Sequence, residues 1–158
     1  MAGYGAPDSE AVDADGVTLG VAVSRWHEDL TMQLLDRSLE AAKACGVEHV
    51  TVARVAGAVE LPVVAQALAR RYDAVVVLGV VVRGDTAHFE YVCQSVTDGL
   101  TRVALDEATP VAHGVLTVDD IEQARARAGY ADSSEDKGWS ATVAALDAVL
   151  TLRRVHRA

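Results

Sequence analysis

Aromatic residues are scarce in this chain: two tryptophans, four tyrosines and one phenylalanine among 158 residues. The core must therefore be aliphatic, built mainly from valine, alanine and leucine. Only two cysteines occur, Cys45 and Cys93, and neither has metal-ligand spacing. They read as reduced thiols of a cytoplasmic protein. Basic residues are outnumbered, 14 against 23 acidic, which leaves a formal charge of −9. Such a balance argues against binding nucleic acid or an anionic membrane through bulk electrostatics, so an anionic ligand must be held by local donors. No apolar run is long enough to span a bilayer, because the longest valine-rich stretch stops at Arg83. The usual phosphate and nucleophile motifs are missing as well: no GxGxxG follows a strand, no P-loop GKS or GKT occurs, and no serine sits in a GxSxG elbow. His, Cys and carboxylates never cluster at zinc spacing, so no metal site is expected. The opening residues MAGYGAPDSEAVDADG are acidic and glycine-rich, without a basic n-region. They read as a flexible arm over residues 1–15, neither signal nor transit peptide, ahead of a single domain over 16–158.

What the chain does have is one long stretch, AVVVLGVVVRGDTAHFEYV, from Ala74 to Val92. Its first part is an unbroken β-branched run, the pattern of a strand buried on both faces in a parallel sheet. Arg83-Gly84-Asp85-Thr86 can turn, with Gly84 allowing close backbone approach to a ligand; Thr86 or Asp85 suits a helix N-cap. Phe89, Val92, Cys93, Val96, Leu100 and Val103 then fall at helical spacing. Strand, glycine turn and helix start together make an anion site, and His88 lies in the first helical turn.

The rest of the chain repeats this alternation. Val17 to Val23 reads as a strand, followed by a helix from about Glu28 to Cys45. Val50 to Val55 reads as a strand, followed by a helix from near Pro62 to Tyr72. Pro110 to Leu116 reads as a fourth strand. Thr117-Val118-Asp119-Asp120 resembles a capping box opening a helix that ends at Gly129. A polar loop over Tyr130 to Asp136 leads to a last helix from about Lys137 to Arg154. Strands alternating with helices give right-handed crossovers. The expected fold is a flavodoxin-like three-layer α/β/α sandwich with a four-stranded parallel sheet.

Ligands favour the C-terminal edge of such a sheet, and the segments there carry Trp26 and His27, then Ala58, Val59 and Glu60, then Asp85, Thr86 and His88, then Thr117, with His113 inside the fourth strand. These groups are expected to converge. Each has an ordinary structural reading too. Trp26 can plug the sheet edge, Glu60 can complement a helix start, and Arg127 can offset a helix macrodipole. Lys137 is disfavoured at a helix start unless Glu135 or Asp136 neutralises it. The turn after the first strand lacks a glycine or threonine cradle, which argues against a flavodoxin-type FMN site. The chemistry on offer is histidine acid–base catalysis beside a backbone anion site.

LGVVVRGDTAHFEYV, from Leu78 to Val92, closely resembles the signature of the 6,7-dimethyl-8-ribityllumazine synthase family. GVLT (Gly114 to Thr117), EQA (Glu122 to Ala124), RAG (Arg127 to Gly129), DKG (Asp136 to Gly138), SRWHE (Ser24 to Glu28) and GAVELP (Gly57 to Pro62) continue the likeness over nearly the whole chain from about residue 15. The resemblance implies an enzyme of riboflavin biosynthesis that condenses 5-amino-6-(D-ribitylamino)uracil with 3,4-dihydroxy-2-butanone 4-phosphate, releasing phosphate and water, without metal or organic cofactor. It implies His88 as the proton-transfer residue, and Gly84, Asp85, Thr86 and Arg127 as the phosphate site. By the same resemblance Trp26 is expected to stack on the pyrimidine, Ala58, Val59, Glu60, Val80, Val81 and Val82 to hold the ring and ribityl chain, and His113 and Lys137 to take further substrate positions. The site is expected between subunits of a cytoplasmic homo-oligomer. In the family the resemblance points to, shells of twelve pentamers need a short, glycine-containing turn where this chain has a long polar one between Gly129 and Lys137, so the likeness implies a pentamer or paired pentamers over a sixty-subunit shell. Asp85, Ala87, His113, Trp139 and Ser140 depart from the family pattern. Those at 85 and 113 motivate an alternative, a paralogue that binds flavin or lumazine with little turnover.

Overall fold

The computed structural model describes residues 5–158. The valine-rich run forms β3, Ala74–Val82, and is buried over its first seven residues. It is flanked by β1, Thr18–Ser24, and by β4, Val111–Val118; β2, His49–Val55, lies outside β1. All pairings are parallel, in the order β2-β1-β3-β4. The chain therefore starts at β1, moves out to β2 and returns past β1 to β3, so the winding direction reverses between β1 and β3. A crevice opens at the carboxyl ends of strands at such a reversal.

Helices cover both faces. On one lie α1, Glu28–Ala44, and α5, Lys137–Arg157, packed on each other and on the side chains of Leu19, Val21, Val23, Val76, Leu78 and Leu116. On the other lie α2, Leu61–Ala69, and α3, His88–Asp106, over Ala22, Val75, Val77 and Val115. The alternation of β3 side chains between these two clusters is the period of two of a strand buried on both sides. Close packing sets the glycines: a Cβ on Gly114 meets Leu78 Cδ2 at 2.7 Å, and one on Gly138 meets the Leu34 carbonyl oxygen at 2.2 Å.

Three local expectations change. Thr117 and Val118 do not open a helix; they pair with Val81 and Val82 and extend β4. Asp120 caps instead, its carboxylate accepting from the Gln123 N–H at 2.9 Å, and α4 is one short helix, Ile121–Arg125. The second helix stops at Ala69, three residues before Tyr72, whose hydroxyl turns to Thr51 Oγ1 on the edge strand. Of the expected arm, residues 1–4 lie outside the described residues. Its inner end is docked: Ala14 is fully buried, its N–H donates to the Cys45 carbonyl at 2.8 Å, and Val12 packs on the core. Trp139 Nε1 donates to the Ser9 carbonyl at 2.7 Å. No helix among the described residues is long and apolar enough to cross a membrane.

Candidate active site

Because all four strands run the same way, their carboxyl ends share one edge, and a cavity of about 370 Å³ opens there. Trp26 and His27 reach it from the end of β1, and Ala58, Val59 and Glu60 from the turn after β2. Val80, Val81 and Val82 contribute the end of β3, and Gly84, Thr86 and His88 the turn into α3. His88 is the first residue of α3 and is exposed, so its ring is free to meet a ligand. Thr86 does not hold the N-cap position itself, which falls to Ala87, but its Oγ1 accepts from the His88 N–H at 3.3 Å. The other N–H groups of that first turn have no helical acceptor and face the cavity end of the helix. Asp85 shares the turn without lining the cavity. Trp26 is 68% exposed, a broad apolar plate at the rim.

Local reasons fix these positions. His27 takes a left-handed conformation, φ 55°, and its carbonyl accepts from Leu30 and Thr31 at the start of α1, a strained corner directly after Trp26. Glu60 does what its structural reading foresaw: its carboxylate accepts from the Gly57 N–H at 2.8 Å and closes the 3-10 turn Ala58–Glu60. At the head of α3, Arg83 lies over the Phe89 ring, 4.3 Å from its centroid, and Phe89 lines the cavity.

Arg127, Lys137 and His113 do not join this cavity. They line a second one, of about 420 Å³, with Thr117, Val118 and Gln123. Of the groups expected to converge at the sheet edge, His113 and Thr117 are the ones set apart: β4 carries its own hollow, separate from the one holding His88. Arg127 Nη1 donates to the Gln123 carbonyl at 2.9 Å, and its Nε lies 3.7 Å from Glu135. Lys137 Nζ pairs with Glu135 Oε2 at 2.8 Å, the neutralisation its helix-start position called for. Asp136 is engaged elsewhere, capping Trp139 N and holding Arg37 Nε at 2.6 Å. This hollow gathers two cations and so suits an anion. His113 Nε2 lies 3.0 Å from Thr97 Oγ1 on α3, and Nδ1 accepts from the Val115 N–H at 3.4 Å. Although much of the residue is exposed, loss of water around the ring lowers its pKa below the ordinary 6.5, outweighing a backbone hydrogen bond that raises it.

Sequence reasoning passed over Phe89, Gln123 and Arg83 as site-shaping residues. Phe89 stood in the apolar helical series, where it counted only as core. Gln123 lies in the EQA motif of the resemblance, which carried no role for it.

A profile described as 6,7-dimethyl-8-ribityllumazine synthase matches residues 16–153. The chain belongs to this family. Curated relatives named 6,7-dimethyl-8-ribityllumazine synthase agree over nearly the full length. The one from Salinispora arenicola is 68% identical, covering 99% of this chain and 94% of the relative. That from Thermobifida fusca is 60% identical over 100% and 92%, and that from Saccharopolyspora erythraea 58% identical over 99% and 94%. These likenesses favour the synthase over the non-catalytic alternative, and the parallel sheet with helices on both faces agrees with the flavodoxin-like sandwich expected for the family.

Proposed function

We propose that this protein is a 6,7-dimethyl-8-ribityllumazine synthase, joining 5-amino-6-(D-ribitylamino)uracil to 3,4-dihydroxy-2-butanone 4-phosphate in riboflavin biosynthesis, in the cytoplasm. The observation that carries the reading is the cavity at the β1/β3 reversal, where an exposed histidine, a glycine turn at a helix start and a tryptophan plate meet. The pyrimidine lies against Trp26, with Ala58 to Glu60 and Val80 to Val82 along its ring and ribityl chain. The phosphate sits on the Gly84–Thr86 turn. The amine attacks the ketone, and the resulting carbinolamine loses water to give an imine; His88 relays the protons that these steps move. Phosphate then leaves, its charge met by the N–H groups of the turn. Ring closure and loss of water complete the lumazine. No metal or organic cofactor takes part. Holding two substrates together can itself remove roughly 7–11 kcal/mol of barrier.

Arg127, Lys137 and His113 act on the same substrates from a neighbouring copy. Both cavities open on one chain, yet a phosphate on the His88 turn lacks a cation among the residues lining that cavity. Self-association is supported by apolar residues left bare on the α2/α3 layer, such as Val63 at 69% and Tyr91 at 73% exposed. A pentamer or a pair of pentamers is the proposed assembly.

The test is direct incubation with both substrates, following lumazine fluorescence. Product is expected, and His88→Ala should lower kcat by about 10²–10⁴-fold, the usual span for a lost acid–base group. No product from the unaltered protein, with His88→Ala behaving identically, rejects the reading.

A further inference from the structure

Arg83 has no part in the chemistry just described, yet it is the most heavily engaged side chain beside the site. It follows β3 directly, and its peptide N–H donates to the Val118 carbonyl at 2.9 Å, closing the β3–β4 ladder. Its guanidinium does three things at once. Nε donates to Asp119 Oδ1 at 2.7 Å, just past the end of β4. Nη1 pairs with Glu90 in the first turn of α3. The planar group lies over Phe89, the residue after His88. One fork therefore ties the end of β4 to the head of α3 across the Gly84–Thr86 turn. The hydrogen bonds to Asp119 and then Glu90 raise the Arg83 pKa, and the bond from Arg83 lowers that of Glu90, so both partners are charged at neutral pH. Arg83 itself does not line the cavity; Phe89 and His88 do.

We propose that Arg83 is a positioning residue, which sets the angle of the α3 head and thereby the place of the His88 ring and of the phosphate turn. Taken singly, these exposed ion pairs do little. Taken together they tie the end of β3, the end of β4 and the head of α3 to one guanidinium, and the turn between them carries its glycine in open space, where a Cβ would meet nothing within 4 Å. Local packing therefore does not hold Gly84 in place. Lysine cannot substitute fully, since an ammonium lacks the planar fork that makes two directed bonds and stacks on a ring. The proposal rests on the reading of the His88 cavity as a reaction site.

The experiment compares the full-length protein with Arg83→Gln, Arg83→Lys, Glu90→Gln and the Arg83→Gln/Glu90→Gln pair, measuring kcat and each KM, thermal unfolding, and the NMR resonances of the His88 ring without ligand. Arg83→Gln should lower kcat/KM by about 10- to 100-fold, the cost of a misplaced catalytic group, mostly in kcat, and should shift or broaden the His88 ring signals. Arg83→Lys should recover only part, and the double variant should fall little below Arg83→Gln alone. The proposal is overturned if Arg83→Gln keeps normal kcat/KM and an unmoved His88 signal, or if its lost activity only tracks lost folded protein while the folded remainder is normal. Should the unaltered protein make no lumazine, the functional reading fails separately, and the His88 ring signals still decide the clamp.

Discussion

A single imidazole at the first residue of α3 carries the proposed proton transfers, and its usefulness comes from what surrounds it rather than from its own burial. It is exposed, has a helix start behind it and shares a 370 Å³ hollow with Trp26. His113 is the opposite case. Its Nδ1 accepts an N–H from Val115, so the neutral ring carries its proton on Nε2 toward Thr97, and protonation sets two donors face to face. Its pKa lies below 6.5 in the folded chain. Between that lowered value and 6.5 the unfolded chain therefore binds more protons, and stability falls as pH drops through this window. It should level off once the folded form is protonated too. Urea unfolding at fixed protein concentration, at pH 7.5 and at about 5.5, should show this loss, and His113→Gln should lessen it. An unchanged pH dependence in His113→Gln would contradict the account. The meeting of His88, Gly84 and Thr86 at one cavity was legible in sequence because one contiguous stretch holds strand, turn and helix start. Asp85 was legible as an anomaly, and its side chain lies outside the cavity lining.

At the scale of elements, α1 and α5 meet more closely than propensity suggests. Glycine early in a helix is locally unfavourable, but at Gly138 a Cβ would sit 2.2 Å from the Leu34 carbonyl oxygen and 2.9 Å from Arg37 Cβ. Beside it, Ser38 and Thr142 share a buried hydrogen bond of 2.6 Å between the same helices. Gly138→Ala should therefore force α5 away from α1 and cost on the order of 1–3 kcal/mol or more, read as a lowered denaturation midpoint; a midpoint equal to the parent's would show that the helices can part freely. The strands and helices were legible from periodicity, since an unbroken β-branched run as short as Ala74–Val82 is the pattern of a strand buried on both faces. Thr117 was misread because its capping signal is local, whereas its fate is set by β3, whose ladder continues through Val81 and Val82 and pulls Thr117 and Val118 into the sheet. Tertiary pairing overrode local preference.

For the whole molecule, the deciding fact is that His88 and the Gly84–Thr86 turn occupy one cavity of the chain and Arg127 another. Sequence placed His88 and Arg127 in one family pattern but contains nothing that says which copy supplies which residue, since that depends on surfaces that meet only after folding. The central claim is that His88 of one copy works with Arg127 of the next. The most direct measurement mixes two inactive variants, His88→Ala and Arg127→Ala, by unfolding and refolding them together, and compares lumazine formation with each refolded alone. With the site between copies, random co-assembly leaves about one site in four with both residues intact, so the mixture should regain roughly that share of normal activity. A mixture no more active than the two variants apart would contradict the account.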